Sequence, residues 1–211
     1  MITLYGEPLW DSPYVFTAFV ALREKGVDFE VREVDLDAGA HLGTDYGERS
    51  LTSRVPALDH DGFTLSESSA IVEYLDEAFP APRFVRLLPS GVRERARARQ
   101  VMAWIRSDLL PLREERPTTT MFFERATKPL SAAAQASAGK LVRVSGTLLA
   151  GAATSLCGEW CVADADLAFM LHRLLLNGHE VPASIRAYAE SQWRRPSVRE
   201  FVEHPRPQRR V

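Results

Sequence analysis

A serine followed at once by a proline, Ser12-Pro13, opens the first helical stretch of this chain. A serine oxygen at an N-cap accepts a backbone N–H, and proline fits the first helical position, so the pair reads first as a helix start. Glu67-Ser68 stands at the predicted start of a second helix. Free N–H groups there favour an anion, and the same residues also satisfy an ordinary cap with an acidic first turn. Arg54 carries a guanidinium that can grip a carboxylate with two bonds. His41 stands in Gly39-Ala40-His41-Leu42, where a lone histidine is ordinarily solvated. Val55-Pro56 alone reads as a loop-to-strand proline. Cys157 and Cys161 are four apart and match neither a redox CxxC nor a pair of zinc hooks, so they read as reduced thiols.

The elements that must position these residues divide the chain. Up to residue 82, strand and helix signals alternate. Ile2 to Tyr5 is a short apolar run, and Pro13 to Glu24 carries Val15, Phe16, Phe19, Val20 and Leu22 at helical spacing. Phe29, Val31, Val34 and Leu36 suggest a second strand. Ala57-Leu58-Asp59 and Phe63-Thr64-Leu65 flank Asp61-Gly62, a hairpin signal. Ser69 to Phe79 reads as a helix. The order is β-α-β, a gap, then β-β-α, which implies a small mixed sheet with helices packed on it.

Pro80-Ala81-Pro82 stops the last of those helices, and residues 83–91 read as a linker. Residues 92–211 give only helical patterns. Val92 to Leu110 is a long helix that Pro111 should kink or end; Ser131 to Ala150 is Ala-rich; Asp164 to Leu176 is apolar nearly all round, which marks a buried central helix. Ala183 to Arg194 is another helix, and the tail from His204 to Val211 is expected to fray. The domains are therefore 1–82, a linker, and 92–211.

The 211 residues include 45% hydrophobic and 26% charged, with a formal charge of -2, which directs attention away from nucleic acid and anionic membranes. The Arg93, Arg95, Arg97, Arg99 series reads as a solvated or subunit-facing helix surface. The N-terminus lacks the pattern of a signal peptide, no apolar run approaches a membrane span, and a cytoplasmic protein is the expectation.

Ser53-Arg54-Val55-Pro56-Ala57-Leu58, followed by Leu65-Ser66-Glu67-Ser68-Ser69-Ala70-Ile71, resembles the paired glutathione-site motifs of the glutathione transferase superfamily. Asp11-Ser12-Pro13-Tyr14 sits where that family keeps its activating residue. Gly158 to Ala168 resembles the start of its central buried helix. Arg95 to Gln100, Arg106 to Leu109 and Arg113 to Pro117 resemble a bacterial YfcF-type branch. The resemblance spans nearly the whole chain. It implies an α/β thioredoxin-like N-terminal domain (βαβαββα) that binds glutathione, and an all-α C-terminal domain that receives the second substrate.

By that resemblance, Pro56 is cis and turns the Val55 main chain toward the cysteinyl peptide of glutathione, which can add as a strand. Ser68 takes the γ-glutamyl carboxylate, Glu67 the ammonium, and His41 and Arg54 the glycyl carboxylate. Ser12 donates to the glutathione sulfur and, with the helix N-terminus, favours thiolate over thiol. Tyr5 and Tyr14 are the competitors for that role. Asp164 is expected to close the start of the central helix, with Cys161 an inferior cap. The second-substrate pocket is expected between the domains, with Trp10, Trp104 and Arg106 as liners.

The implied activity is thiolate attack on a small hydrophobic electrophile or on a hydroperoxide, in a homodimer, with glutathione as cosubstrate, no metal, no nucleic acid and no membrane. The rivals are a glutathione-dependent disulfide reductase and a binding module of the same fold that has lost catalysis.

Overall fold

The computed structural model describes residues 1–150 and 154–207. They fall into two compact units: residues 1–87 with the described residues from 196 onward, and residues 88–195.

In the first unit, β1 (Ile2–Gly6) is buried along its whole length because it lies inside the sheet order β2-β1-β3-β4. α1 (Pro13–Lys25) starts at the Ser12 cap and ends at Gly26, whose φ of 62° is the left-handed turn that closes helices. Every residue from Val15 to Leu22 is buried. β2 (Phe29–Glu33) pairs parallel with β1, Leu4 opposite Val31. It stops short of the expected Leu36: Val34 donates a last bond to the Gly6 carbonyl at 2.7 Å before the chain turns away. The gap holds a 3₁₀ turn (Ala40–Leu42) and a one-turn α2 (Thr44–Gly47), which complete the βαβαββα order. β3 (Ala57–His60) and β4 (Phe63–Ser66) form the expected hairpin, with Asp61 and Gly62 both at positive φ. α3 (Ser68–Ala78) packs on α1 through Ile71, Val72 and Leu75, all fully buried.

The last helix (Pro196–Val202) also packs on α1. Phe201 is buried at 5.3 Å from Phe16 and 5.4 Å from Trp10. The sequence division runs one helical domain over 92–211; by its contacts the last helix groups with the first unit, which covers its apolar face. The expectation of a frayed tail is corrected as far as Pro207: His204 stacks on Trp10 at 3.6 Å, and Arg206 donates to the Trp10 carbonyl. Residues 208–211 of that expectation lie outside the described residues. The start of the linker is also anchored, since Lys25 Nζ bonds the Val85 carbonyl and Asp76 accepts the Leu87 N–H.

The second unit is helical, with no strand among the described residues: α4 (Val92–Ser107), α5 (Leu110–Glu115), α6 (Thr119–Phe122), α7 (Ala132–Leu148), α8 (Val162–Leu175) and α9 (Ala183–Trp193). The first helix breaks two residues before the expected Pro111. Asp108 is extended and Leu109 left-handed at φ 63°, and Pro111 then lies in the first turn of α5, where its missing N–H is no loss. α8 is buried at every position except Leu175. Its Asp164 accepts the N–H groups of Cys161 and Leu156 and the Tyr188 hydroxyl, closing the helix start as expected.

Candidate functional site

The strand register decides what can meet. Tyr5 lies opposite Ala57, and Ala57 opposite Ser66. Gly6 lies beside Glu33 at the end of the parallel pair. The segments that leave β1, β2 and β4 and the segment that enters β3 therefore emerge at one end of the sheet. Those segments carry Ser12, His41, Glu67 with Ser68, and Arg54 to Pro56. Four stretches that are distant in sequence become one neighbourhood within the first unit.

Ser12 is extended at φ -67° and ψ 122°, and its Oγ accepts the N–H groups of Tyr14 and Val15, each at 3.3 Å. The hydroxyl is half-buried, and its own proton enters no bond among the described residues. A serine that caps with its lone pairs keeps its proton for a ligand. The Ser12 N–H is held by the Glu7 carboxylate at 2.6 Å. Burial pushes the Glu7 carboxyl up to about 7, against the lowering effect of the Ser12 N–H. Tyr5 is 7% exposed and packs edge-on to Tyr46, so its hydroxyl belongs to the sheet and its covering.

The Val55–Pro56 peptide is cis, as the resemblance implied. Among the described residues nothing bonds the Val55 main chain, so it stands open for an added strand. The preceding turn is fixed from one side: the Arg54 carbonyl accepts the Tyr46 hydroxyl and the Ser50 hydroxyl, both at 2.9 Å, and the Arg54 N–H returns to Ser50 Oγ at 3.2 Å. Burial raises the Tyr46 phenol to about 12, so it stays a donor. The Arg54 backbone is thus locked while its side chain is exposed.

Glu67 has φ 73° and ψ 112°, a left-handed backbone that non-glycine residues avoid. Its exposed carboxylate accepts from Thr52 Oγ1 at 3.1 Å, which ties the α3 start to the loop before β3. Ser68 is the first residue of α3 and only 3% exposed. His41 lies in the 3₁₀ turn, half-buried, with Nδ1 buried and unbonded among the described residues. Of the suggested pocket liners, Trp10 is core (7% exposed), Trp104 donates to Asp108, and Arg106 is paired with Asp166 at 2.8 Å.

Sequence reasoning missed Glu7, Tyr46, Ser50 and Thr52. Glu7 stands in Gly6-Glu7-Pro8, which has the composition of a solvated turn. Tyr46 reads as an ordinary core aromatic, and Ser50 and Thr52 as short polar turn residues; the roles of all three appear only when the turn folds back.

Residues 11–78 match the family model described as Glutathione S-transferase, N-terminal domain, and residues 91–205 match Glutathione S-transferase, C-terminal domain. A glutathione transferase homologue from Burkholderia gl BGR1, solved with bound glutathione, is 46% identical, with a TM-score of 0.79 and 96% of each chain covered. A theta class glutathione S-transferase from Xanthomonas axonopodis pv. citri is 24% identical and shares the fold, with a TM-score of 0.78 over 97% of this chain and 98% of that one. Among curated relatives, maleylacetoacetate isomerase of Rattus norvegicus is 38% identical over 95 residues, 44% of this chain and 43% of its own length. The chain spans less than half the length of the curated relatives it matches. The fold, the open Val55 main chain before a cis proline, the Glu67-Ser68 helix start and the two domain matches agree: the chain belongs to the glutathione S-transferase family.

Proposed function

We propose that the protein is a glutathione transferase that holds glutathione at this end of the sheet and activates it as a thiolate, for conjugation to electrophiles and for reduction of organic hydroperoxides. The observation that carries this reading is the Ser12 hydroxyl, which caps α1 through its lone pairs and keeps its proton at the helix N-terminus. A sulfur seated there gains one hydrogen bond and the partial positive charge of the helix, and both favour the thiolate. A free thiol ionises near pH 8.5, so each unit of lowering is worth ~1.4 kcal/mol.

The rest of the site binds and orients. The Val55 main chain pairs with the cysteinyl peptide. The Ser68 N–H end of α3 receives the γ-glutamyl carboxylate, with Glu67 on the ammonium. Arg54 and His41 lie toward the glycyl carboxylate. Such positioning supplies much of the acceleration of a bimolecular attack. The Burkholderia homologue with bound glutathione supports the ligand. The two free cysteines accord with a reducing, cytoplasmic setting, and the homodimer is carried over from the family. A second reading, an isomerase on the same half-site, takes its support from the maleylacetoacetate isomerases among the relatives.

The test is a pH titration of the thiolate absorbance of bound glutathione, with Ser12→Ala as control. The expected result is ionisation well below the free value, lost in Ser12→Ala. Binding with an unshifted thiol would leave a glutathione-holding module instead.

A further inference from the structure

Gly6 ends β1 so close to α1 that a Cβ there would lie 2.8 Å from Val15 Cγ1. The next residue, Glu7, is therefore set against the start of that helix, and it is only 6% exposed. Its Oε1 accepts two main-chain donors, Asp11 N–H at 2.7 Å and Ser12 N–H at 2.6 Å. Its Oε2 is buried and has no hydrogen-bond partner among the described residues. Among the described residues, the charged groups that face it are Asp11, on the same loop, and Arg206, from the segment after the last helix.

This division of labour between two oxygens has a chemical consequence. A proton on Oε2 leaves Oε1 a carbonyl that still accepts both N–H groups, so proton uptake does not release the loop. We propose that Glu7 is a positioning residue for Ser12, and that its Oε2 takes up a proton when a thiolate is seated at the Ser12 hydroxyl. The proposal rests on the reading of Ser12 given above. Two anions close together in a buried site titrate as a coupled pair, each raising the proton affinity of the other. Burial has already brought Glu7 to about 7, where such a change falls in the neutral range. Part of the proton lost by the thiol is then taken up at Glu7, and the remainder leaves for solvent.

The experiment is a carboxyl NMR titration of the wild-type protein labelled with carbon-13 glutamate, alone, with glutathione, and with S-methylglutathione, which has no ionisable thiol. Glu7 is assigned by through-bond correlation, so the test does not depend on the folding of Glu7→Gln; where that variant folds, its spectrum lacks the same resonance. The expected result is a Glu7 midpoint near neutrality that rises by about half a unit or more with glutathione and stays put with S-methylglutathione. A Glu7 that titrates in the ordinary carboxylate range, or moves equally with both ligands, overturns the proposal while amide shifts at Val55 and Ser68 still report binding. If those amides do not respond to glutathione, the reading of the site falls, and the coupling falls with it.

Discussion

The guanidinium of Arg206 reaches the carbonyl of Trp10 with two nitrogens, Nε at 3.2 Å and a terminal nitrogen at 2.8 Å. Trp10 is itself clasped between Phe19, Phe201 and the ring of His204. A segment almost two hundred residues away thus holds the loop that ends in Ser12. Hydrogen bonds to a charged group contribute about 1.5–3 kcal/mol each when desolvated, and Arg206 is only partly buried, so about 1–2 kcal/mol is expected overall. Arg206→Ala should lower stability by about that much in urea unfolding. It should also speed hydrogen exchange at the Asp11 and Ser12 amides and raise KM for glutathione more than it lowers kcat. An unchanged exchange rate would show that the tail is not what holds the loop.

Glu67 sits at φ 73° and ψ 112° with its carboxylate exposed toward Thr52. Strain of this kind is of order 1–3 kcal/mol and persists where the surroundings impose it. Glycine relieves the strain but adds freedom to the unfolded chain. Glu67→Gly is expected to stabilise the fold by about 1 kcal/mol while weakening glutathione affinity at least tenfold. Glu67→Ala should weaken affinity without the stability gain. Isothermal calorimetry and thermal unfolding on the two variants separate backbone from side chain.

Local signals made much of this legible in the sequence. Ser12-Pro13 and Asp61-Gly62 each carry their conformation in their own chemistry, and the structure keeps both. α8 was legible because a helix apolar on all sides has no place but the interior. The rest depends on contacts between distant segments. Glu7 reads as a turn residue until Asp11 and Ser12 fold over it. The last helix shows only Val198 and Phe201 as apolar anchors, too few to announce that it joins the first unit. The break at Asp108-Leu109 precedes its proline, because proline is accepted in a first turn and the chain must turn before it. Cis geometry at Val55–Pro56 was readable through the family resemblance alone.

Lys25 is another interior charge with a structural task. Its side chain has no exposed surface, and Nζ donates to Asp76 at 2.7 Å, the Phe79 carbonyl at 2.8 Å and the Val85 carbonyl at 2.7 Å. Three donors meet three acceptors, joining α1 to the turn after α3. Removing one partner of a buried pair strands the other, at a cost of about 3–5 kcal/mol. Lys25→Met should therefore unfold at markedly lower urea, by roughly 3 kcal/mol, with Lys25→Arg intermediate. A Lys25→Met variant of wild-type stability would show that the carboxylate and the two carbonyls find other donors.

His172 makes the stability of the helical unit sensitive to acid. It is 3% exposed, stacks on Trp193 at 3.7 Å, and bonds the Ala168 carbonyl through Nδ1 at 2.8 Å. Burial disfavours the charged ring and pushes its pKa down to about 4, from 6.5. The folded state therefore binds its proton later than the unfolded chain does. The stability that comes from the neutral ring is complete above pH 6.5 and is lost progressively as pH falls through about 4. A shift of this size corresponds to roughly 3 kcal/mol. Replacing the ring with a neutral group that stacks, His172→Phe, sacrifices the Ala168 bond at pH 7 but removes the titration. Urea unfolding of wild type and His172→Phe at pH 7 and pH 4.5 should converge in acid, with the variant gaining on the wild type by about 2 kcal/mol or more. Parallel pH profiles would mean that the ring titrates in the folded protein as it does in the unfolded chain, so that burial does not hold it neutral.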